Sequence, residues 1–361
     1  MHKLTLKEHI KTNAHRFPGK AITLGFDGFV DTIVRVIRQK DDKGSTYFES
    51  IREFGNYTVG KSGKNFSLEL EERVTKLGGN MPIMANALGQ FGFKPSCIGS
   101  FGYPDIHPVF QQMSLNTHLF TFANPGISTA MEFSDGKILL AQMESLNKSD
   151  WTTIKNAIGI QELTALFTAR DLIAIVNWSE LDHATELWRG LLREILPHVL
   201  ASGKRPMGFF DLSDCSRRSH SSILEAMVLL KSFSQYWDVV LSLNLNETTV
   251  VYEALTGGSR VEPQIETIGE TLYEKLGIDT VLIHYSKEAL AINADGIHKK
   301  ECIQIKNPVL STGAGDNFNA GFCVARLMQL DSTTSIEFGH AMAGHYLQTG
   351  KSPTIEELLA I

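Results

Sequence analysis

Six short, mostly apolar runs recur along the chain with helical stretches between them. They are Ala21 to Gly25, Lys94 to Gly99, Leu172 to Val176, Met207 to Asp211, Val239 to Leu243 and Thr280 to His284. A run that is apolar at nearly every position, and not at every second one, is buried on both faces. The helical stretches are Pro82 to Gly89, Leu181 to Leu200, Ser221 to Ser234, Glu247 to Leu255 and Ile265 to Leu276. Buried strands alternating with helices predict an α/β fold, a three-layer α/β/α sandwich with a mostly parallel central sheet. Ligands of such folds bind beyond the C-terminal strand edges, where Asp211, His284 and Asp316 would fall. Two segments, 44–76 and 118–140, break the rhythm with short extended pieces such as Thr46 to Arg52 and Thr129 to Ser134. Asp135-Gly136 between apolar flanks predicts a hairpin.

Near the C-terminus stands Asn307-Pro-Val-Leu-Ser-Thr-Gly-Ala-Gly-Asp-Asn-Phe-Asn-Ala-Gly321. Gly313 and Gly315 permit a tight turn that opens onto an apolar helix carrying Phe318, Phe322, Ala325 and Leu327. Free N–H groups converging at a helix N-terminus form an anion site. A carboxylate such as Asp316 repels a bound phosphate, unless its task is to take a proton from a hydroxyl attacking that phosphate. A capping Asp after a glycine turn is the plainer explanation for a lone Gly-x-Gly-Asp. The length of this string favours the catalytic one.

The string resembles the second signature of the ribokinase-like (PfkB-type) carbohydrate kinases, Asp-Thr-x-Gly-Ala-Gly-Asp-x-Phe-x-Ala-Gly. Gly313, Ala314, Gly315, Asp316, Phe318, Ala320 and Gly321 match, while Leu310 and Ser311 replace the leading Asp-Thr. Upstream, Lys76-Leu-Gly-Gly-Asn-Met-Pro-Ile-Met-Ala-Asn-Ala-Leu-Gly-Gln-Phe-Gly92 is similar to the Gly-Gly-Asn segment of the same family. There backbone amides and the Asn hold sugar hydroxyls, a task the resemblance gives to Gly78, Gly79 and Asn80. Ile83 stands where many members have Asn.

The resemblance extends over nearly the whole chain and implies an ATP- and Mg²⁺-dependent kinase acting on a hydroxyl of a small sugar or related polyol. A nucleoside kinase, or a non-catalytic sugar- or nucleotide-binding protein on the same fold, is the alternative. It implies a kinase core over 1–43, 77–117 and 141–361, with 44–76 and 118–140 as a small β lid over the substrate. A pair of surface hairpins is the other use of those two segments. A homodimer paired through the lid is compatible with it. Asp316 would be the general base, with the amides of Gly313, Ala314 and Gly315 forming the anion hole. Asp27 and Asp31, beyond the first strand, would hold sugar hydroxyls, since a carboxylate accepts two such bonds from a vicinal diol. Either alone could as well cap a turn or helix.

Asn244 and Glu247 fit the Asn-x-x-Glu motif of the family, whose carboxylate orders magnesium-bound water near the phosphates. Asn246 offers an alternative frame, and an ordinary helix cap is the competing reading. His284 and Ser286 stand where the family carries a glycine-containing nucleotide loop, although the glycines are missing here. His340 matches a nucleotide-contacting position. Trp178 and Glu180 line the sugar pocket or, for Trp178, pack in the core. Many family members are activated by K⁺ beside the anion hole, and Leu310 replaces the Asp that contributes a carboxylate there.

One further motif competes. Gly55-Asn-Tyr-Thr-Val-Gly-Lys-Ser62 fits Gly-x4-Gly-Lys-Ser, but Arg52 and Glu53 interrupt the strand a P-loop needs before it. The segment is therefore expected to be a glycine-rich connection between lid and core.

Composition narrows the partners. Net charge is −6 with no basic block, which argues against nucleic acid. The longest apolar runs fall short of a membrane span. Charge within Met1 to Glu8 is unlike a signal peptide, and Cys97, Cys215, Cys302 and Cys323 are widely spaced, so reduced cysteines in a cytoplasmic protein are expected.

Overall fold

The structure, a computed structural model, describes residues 4–42, 44–199, 205–258 and 264–360. Among them are fourteen strands, which in chain order begin with β1 (Ala21–Gly25), β2 (Phe29–Asp41), β3 (Gly44–Tyr47), β4 (Glu69–Gly78), β5 (Lys94–Gly99), β6 (His118–Thr121) and β7 (Gly126–Phe133). They continue with β8 (Gly136–Gln142), β9 (Leu172–Val176), β10 (Met207–Asp211), β11 (Asp238–Asn244), β12 (Thr280–His284), β13 (Glu288–Asn293) and β14 (Gly296–Glu301).

Nine strands form one sheet in the order β14-β13-β12-β11-β10-β9-β1-β5-β6. Every pairing from β12 across to β6 is parallel, and only β13 and β14 run antiparallel to their neighbours. β9 shows why these runs are apolar throughout. Leu172, Ala174 and Val176 pack on one face with Phe318 and Phe322 of the Ala314–Leu327 helix. Ile173 and Ile175 pack on the other face with Trp178, Trp188 and Trp237. With side chains alternating across a sheet covered on both sides, no position faces water. The predicted three-layer α/β fold is the one present. Five of the six predicted strands coincide with observed ones end to end, and the sixth gains one residue at each end.

The stretch read as one helix from Leu181 to Leu200 is broken. An α-helix over Ala184–Gly190 passes through a π turn at Leu191–Ile195 into a 3₁₀ turn at Leu196–His198. Pro197 has no N–H to continue the ladder. Leu200 lies outside the described residues, as do Met1 to Lys3 of the N-terminal reading.

The remaining five strands form a second, smaller sheet in the order β3-β2-β7-β8, with β4 also paired to β2. Its membership differs from the expected boundaries. β2, assigned to the core up to residue 43, belongs to this sheet, and β6, assigned to the small layer, pairs in parallel with β5 in the large one. β2 misleads because Phe29, Val30, Ile33, Val34, Val36 and Ile37 give it the apolar density of a core strand. The hairpin at Asp135-Gly136 is present between β7 and β8.

Residues 44–76 are not all extended either. A helix spans Ile51–Gly60, opened by the Ser50 side chain accepting the Glu53 amide. Its Phe54 and Tyr57 pack on Val34, Val36, Phe48, Met131 and Phe133, which gives the small sheet its own core. This disposes of the P-loop. Such a loop needs a helix opening at its Lys-Ser, and here one closes at Lys61.

All four cysteines are free thiols, with Cys97, Cys215 and Cys323 buried. No helix among the described residues is long and apolar enough to cross a membrane.

Candidate active site

The C-terminal ends of β1, β10, β11 and β12 meet the heads of the helices Asn80–Gln90, Leu245–Thr256 and Ala314–Leu327. Gly313 turns the chain into the last of these with φ +102°, a conformation that favours glycine. A Cβ there would lie 2.7 Å from Tyr346 Oη and 3.2 Å from Ile83 Cδ1. Three bonds hold the turn. Tyr346 Oη donates to Thr312 O (2.8 Å), Asn317 Nδ2 donates to Gly313 O (2.9 Å), and Ala314 N donates to Ser311 O (3.1 Å). Among the described residues no side chain caps this helix, so apart from the Ala314 amide its head is open to an anion. Ile83, where the resemblance leads one to expect Asn, packs beneath the turn.

Asp316 stands in the first turn of the helix, half-buried. Burial pushes its carboxyl well above the ordinary range, and the charges of Asp211, Asp27 and Glu247 add to that, while Lys76 opposes it. A carboxylate so placed is a stronger base than one in water. Asp211, at the end of β10, is fixed by the Ser213 amide (2.8 Å) and by Asn319 Nδ2 (2.7 Å), and Ser242 Oγ donates to Asn319 Oδ1 (2.8 Å). Glu247 is buried and forms a capping box with Asn244. Asn244 donates through its amide (2.9 Å) and Nδ2 (2.5 Å), and Asn244 Oδ1 accepts the Glu247 amide (3.0 Å). The helix-cap reading of this pair is thus present in the geometry. Asn246 is exposed and donates to Asp214 (3.3 Å), whose charge in turn raises Glu247.

Asp211 and Glu247 are each raised by burial, and Asp211 raises Glu247 further. A cation beside them would relieve that repulsion. No group of three or more His, Cys, Asp or Glu among the described residues is arranged to hold a metal ion directly. Asp211 and Glu247 are hard oxygen donors, the chemistry that a hard and reluctantly dehydrated ion such as Mg²⁺ accepts through water.

Across the cleft the small sheet presents Asp31, Lys76 and Ser128 in one cross-strand row. Asp31 is raised by burial, opposed by the charge of Lys76 and a hydrogen bond from Ser128. Its carboxylate lies over Gly78, where an added Cβ would come 2.3–2.4 Å from the carboxyl atoms. Gly78 is glycine because Asp31 occupies the space of its side chain.

Asp27, expected with Asp31 to meet substrate, is instead fully buried. Its oxygens accept the amides of Asn80 (2.9 Å) and Met81 (2.9 Å) and Asn177 Nδ2 (2.6 Å). It caps the Asn80–Gln90 helix from outside, which Gly79 permits with φ +92°. Burial pushes it up to about 7 against the pull of those donors. Asp27 shapes the Gly79–Asn80 turn, while Asp31 lies over Gly78 and opposite Lys76.

His284 and His340 flank Phe318, with ring centroids 4.9 Å and 5.4 Å from it. Burial brings both down to about 4, so at neutral pH they are uncharged rings and supply no positive charge to a phosphate. His284 Cε1 lies 3.4 Å from where a Cβ on Gly315 would be, directly behind the anion turn. His340 opens on a cavity of about 590 Å³ that Cys302, Ile303, Ala341 and Gly344 also line. Ser286 is exposed in the turn between β12 and β13. Trp178 is 2% exposed and packs against Trp188, so of its two readings the core one holds, and both oxygens of Glu180 accept from Arg217 Nη2.

Lys76, Tyr346, Asn317 and Asn319 belong to this site and were given no role by the sequence. The two asparagines carried a signal, since both are polar positions within an otherwise apolar helix. Tyr346 carried none, because its partner lies 34 residues away.

A sequence model described as prokaryotic ketohexokinase matches residues 5–361 of this chain. The ketohexokinase of Haloferax volcanii is 27% identical over 350 residues, covering 96% of this chain and 91% of that protein. Among solved structures, ribokinase from Thermotoga maritima superposes with a TM-score of 0.64 at 16% identity, over 94% of this chain and 98% of that one. Arabidopsis thaliana ribokinase, solved with ribose and ATP, superposes with a TM-score of 0.63 at 15% identity, over 94% and 97%.

Proposed function

This chain belongs to the prokaryotic ketohexokinase family and is a sugar kinase of the ribokinase type, and from that premise we propose that it transfers the γ-phosphoryl group of ATP to a hydroxyl of a ketohexose. The observation that carries the reading is Asp316, raised in basicity, at an uncapped helix head and across the cleft from Asp31. Asp31 would accept two hydroxyl hydrogen bonds of the sugar, with Asn80 and the Gly78–Gly79 backbone beside it. Asp316 would take the proton of the attacking hydroxyl as the oxygen–phosphorus bond forms. The amides of Gly313, Gly315 and Asp316, with that of Ala314 turned onto Ser311 O, would stabilise charge growing on the transferred group.

Nucleotide phosphates at that turn would lie beside Asn244 and Glu247. The base would reach past the His284–Phe318–His340 rings into the cavity that His340 lines. Glu247, with Asp211 beside it, would hold Mg²⁺ through water; the bound ion neutralises charge on the β- and γ-phosphates. The small sheet would act as the lid, excluding water that competes with the sugar as acceptor.

The test is turnover of ATP and Mg²⁺ with a panel of ketohexoses, aldoses, pentoses and nucleosides. Phosphorylation of a ketohexose at the highest kcat/KM is the expected result. Preference for a nucleoside would overturn the acceptor assignment, and absence of transfer to every acceptor would overturn catalysis. A second expectation follows from Leu310, which offers a hard cation no side-chain oxygen. Replacing K⁺ by a bulky organic cation at constant ionic strength should leave the rate nearly unchanged. A several-fold loss would show that backbone carbonyls hold the ion without a carboxylate.

A further inference from the structure

Among the described residues, Lys76 links the small sheet to the anion turn by a chain of polar contacts. It is half-buried on β4, in register with Asp31 of β2. Its Nζ lies 3.5 Å from Tyr346 Oη, whose own proton goes to Thr312 O at 2.8 Å, next to Gly313. The same hydroxyl fills the space that a side chain at 313 would need. The charged and titratable groups facing Lys76 are Asp31 on β2, Lys137 on β8, Asp316 at the head of its helix and Tyr346. Lys76 therefore sits between the carboxylate that faces the sugar and the carboxylate that faces the attacking hydroxyl.

A lysine that served only to balance Asp31 could do so from the rim of the sheet, in water. Here its charge is partly desolvated, an arrangement that costs free energy and strengthens its field within the cleft. Resting on the kinase reading above, we propose that Lys76 is a catalytic cation contacting the transferring phosphoryl group from the acceptor side. Tyr346 is the positioning residue that fixes both the ammonium and the Thr312–Gly313 peptide. In the transfer the bond from phosphorus to the nucleotide's β–γ bridging oxygen breaks as the sugar oxygen bonds to phosphorus. The sugar proton goes to Asp316, and Lys76 remains protonated throughout. Its role is to hold charge on the non-bridging oxygens that the turn amides do not reach. Because it rides on the small sheet, it completes the site only when that sheet is seated.

The test compares Lys76→Met, Lys76→Arg and Tyr346→Phe for kcat and KM with the best sugar. Removing one such electrostatic contact should lower kcat about 10²–10³-fold in Lys76→Met, with the sugar KM little changed. Lys76→Arg, which keeps the charge, should recover a large part of that loss. Tyr346→Phe keeps the ring and loses one hydrogen bond, so kcat should fall about tenfold with thermal stability nearly retained. A raised KM with kcat preserved in Lys76→Met would show that Lys76 only balances Asp31, and would overturn the proposal. So would wild-type kcat in Tyr346→Phe, a variant that decides the matter by itself if Lys76→Met does not fold. Failure here is separable from failure of the kinase reading. An inactive Asp316→Asn beside a fully active Lys76→Met would sink this inference alone.

Discussion

Asp316→Asn should nearly abolish phosphoryl transfer while leaving nucleotide affinity and the fold almost intact. The amide keeps the shape of the carboxylate but cannot accept the proton of the attacking hydroxyl, and loss of a general base costs about 10²–10⁴-fold. Folding should not suffer, because burial and three neighbouring carboxylates already work against the charge at this position. Removing that charge relieves them. The pH profile supplies an independent check. Asp316 must be ionised to act, and its environment disfavours the ionised form, so protonation overtakes it earlier as pH falls. The acid limb of kcat/KM for the wild type should therefore lie above the ordinary carboxylate range. In Asp316→Asn that limb should vanish from the residual rate. A folded variant that keeps most of its activity, or the same limb, would show that another group takes the proton.

The parts of this molecule that were legible in the sequence are those in which one physical demand acts on consecutive residues. β9 must be apolar at every position because both its faces are covered, and it was placed end to end. The Gly-Ala-Gly-Asp turn was legible because a positive φ, an open helix head and an acid fall within four residues. What was misread depends on partners distant in sequence. Phe29–Asp41 has the composition of a core strand, and only its pairing with β4 and β7 assigns it to the small sheet. Asp27 and Asp31 are alike in sequence and near one another. They part company because two amides of the next segment, 53 and 54 residues on, turn back onto Asp27. The Ile51–Gly60 helix was hidden by its two glycines and its β-branched residues, which local propensity counts against a helix. Its apolar contacts with the small sheet outweigh that preference. Lys76 and Tyr346 lie 270 residues apart, and no local pattern could have joined them.

Gly313→Ala should cost nearly as much activity as loss of the base, through geometry and not chemistry. At φ +102° an alanine is strained whatever the space around it, by roughly 1–2 kcal/mol on the scale of the left-handed region. Space is lacking as well, since the new Cβ would sit 2.7 Å from Tyr346 Oη and 3.2 Å from Ile83 Cδ1. Ile83 can yield by a small side-chain shift. The tyrosine hydroxyl cannot without releasing Thr312 O, and that bond sets the direction of the peptide entering the turn. The helix beyond is anchored independently, with Phe318, Phe322 and Val324 in the core, so the strain falls on residues 311–314 and on the hydrogen bonds that set their direction. Amides that point even slightly away from the phosphoryl oxygens lose most of their stabilisation, and one misplaced donor costs about 10²–10³ in kcat. The sugar is held from the other side of the cleft, so its KM should change far less. Near-normal kcat in Gly313→Ala would mean that the turn amides do not bear on the transferred group. A raised sugar KM with kcat intact would place the turn at the acceptor and not at the phosphate.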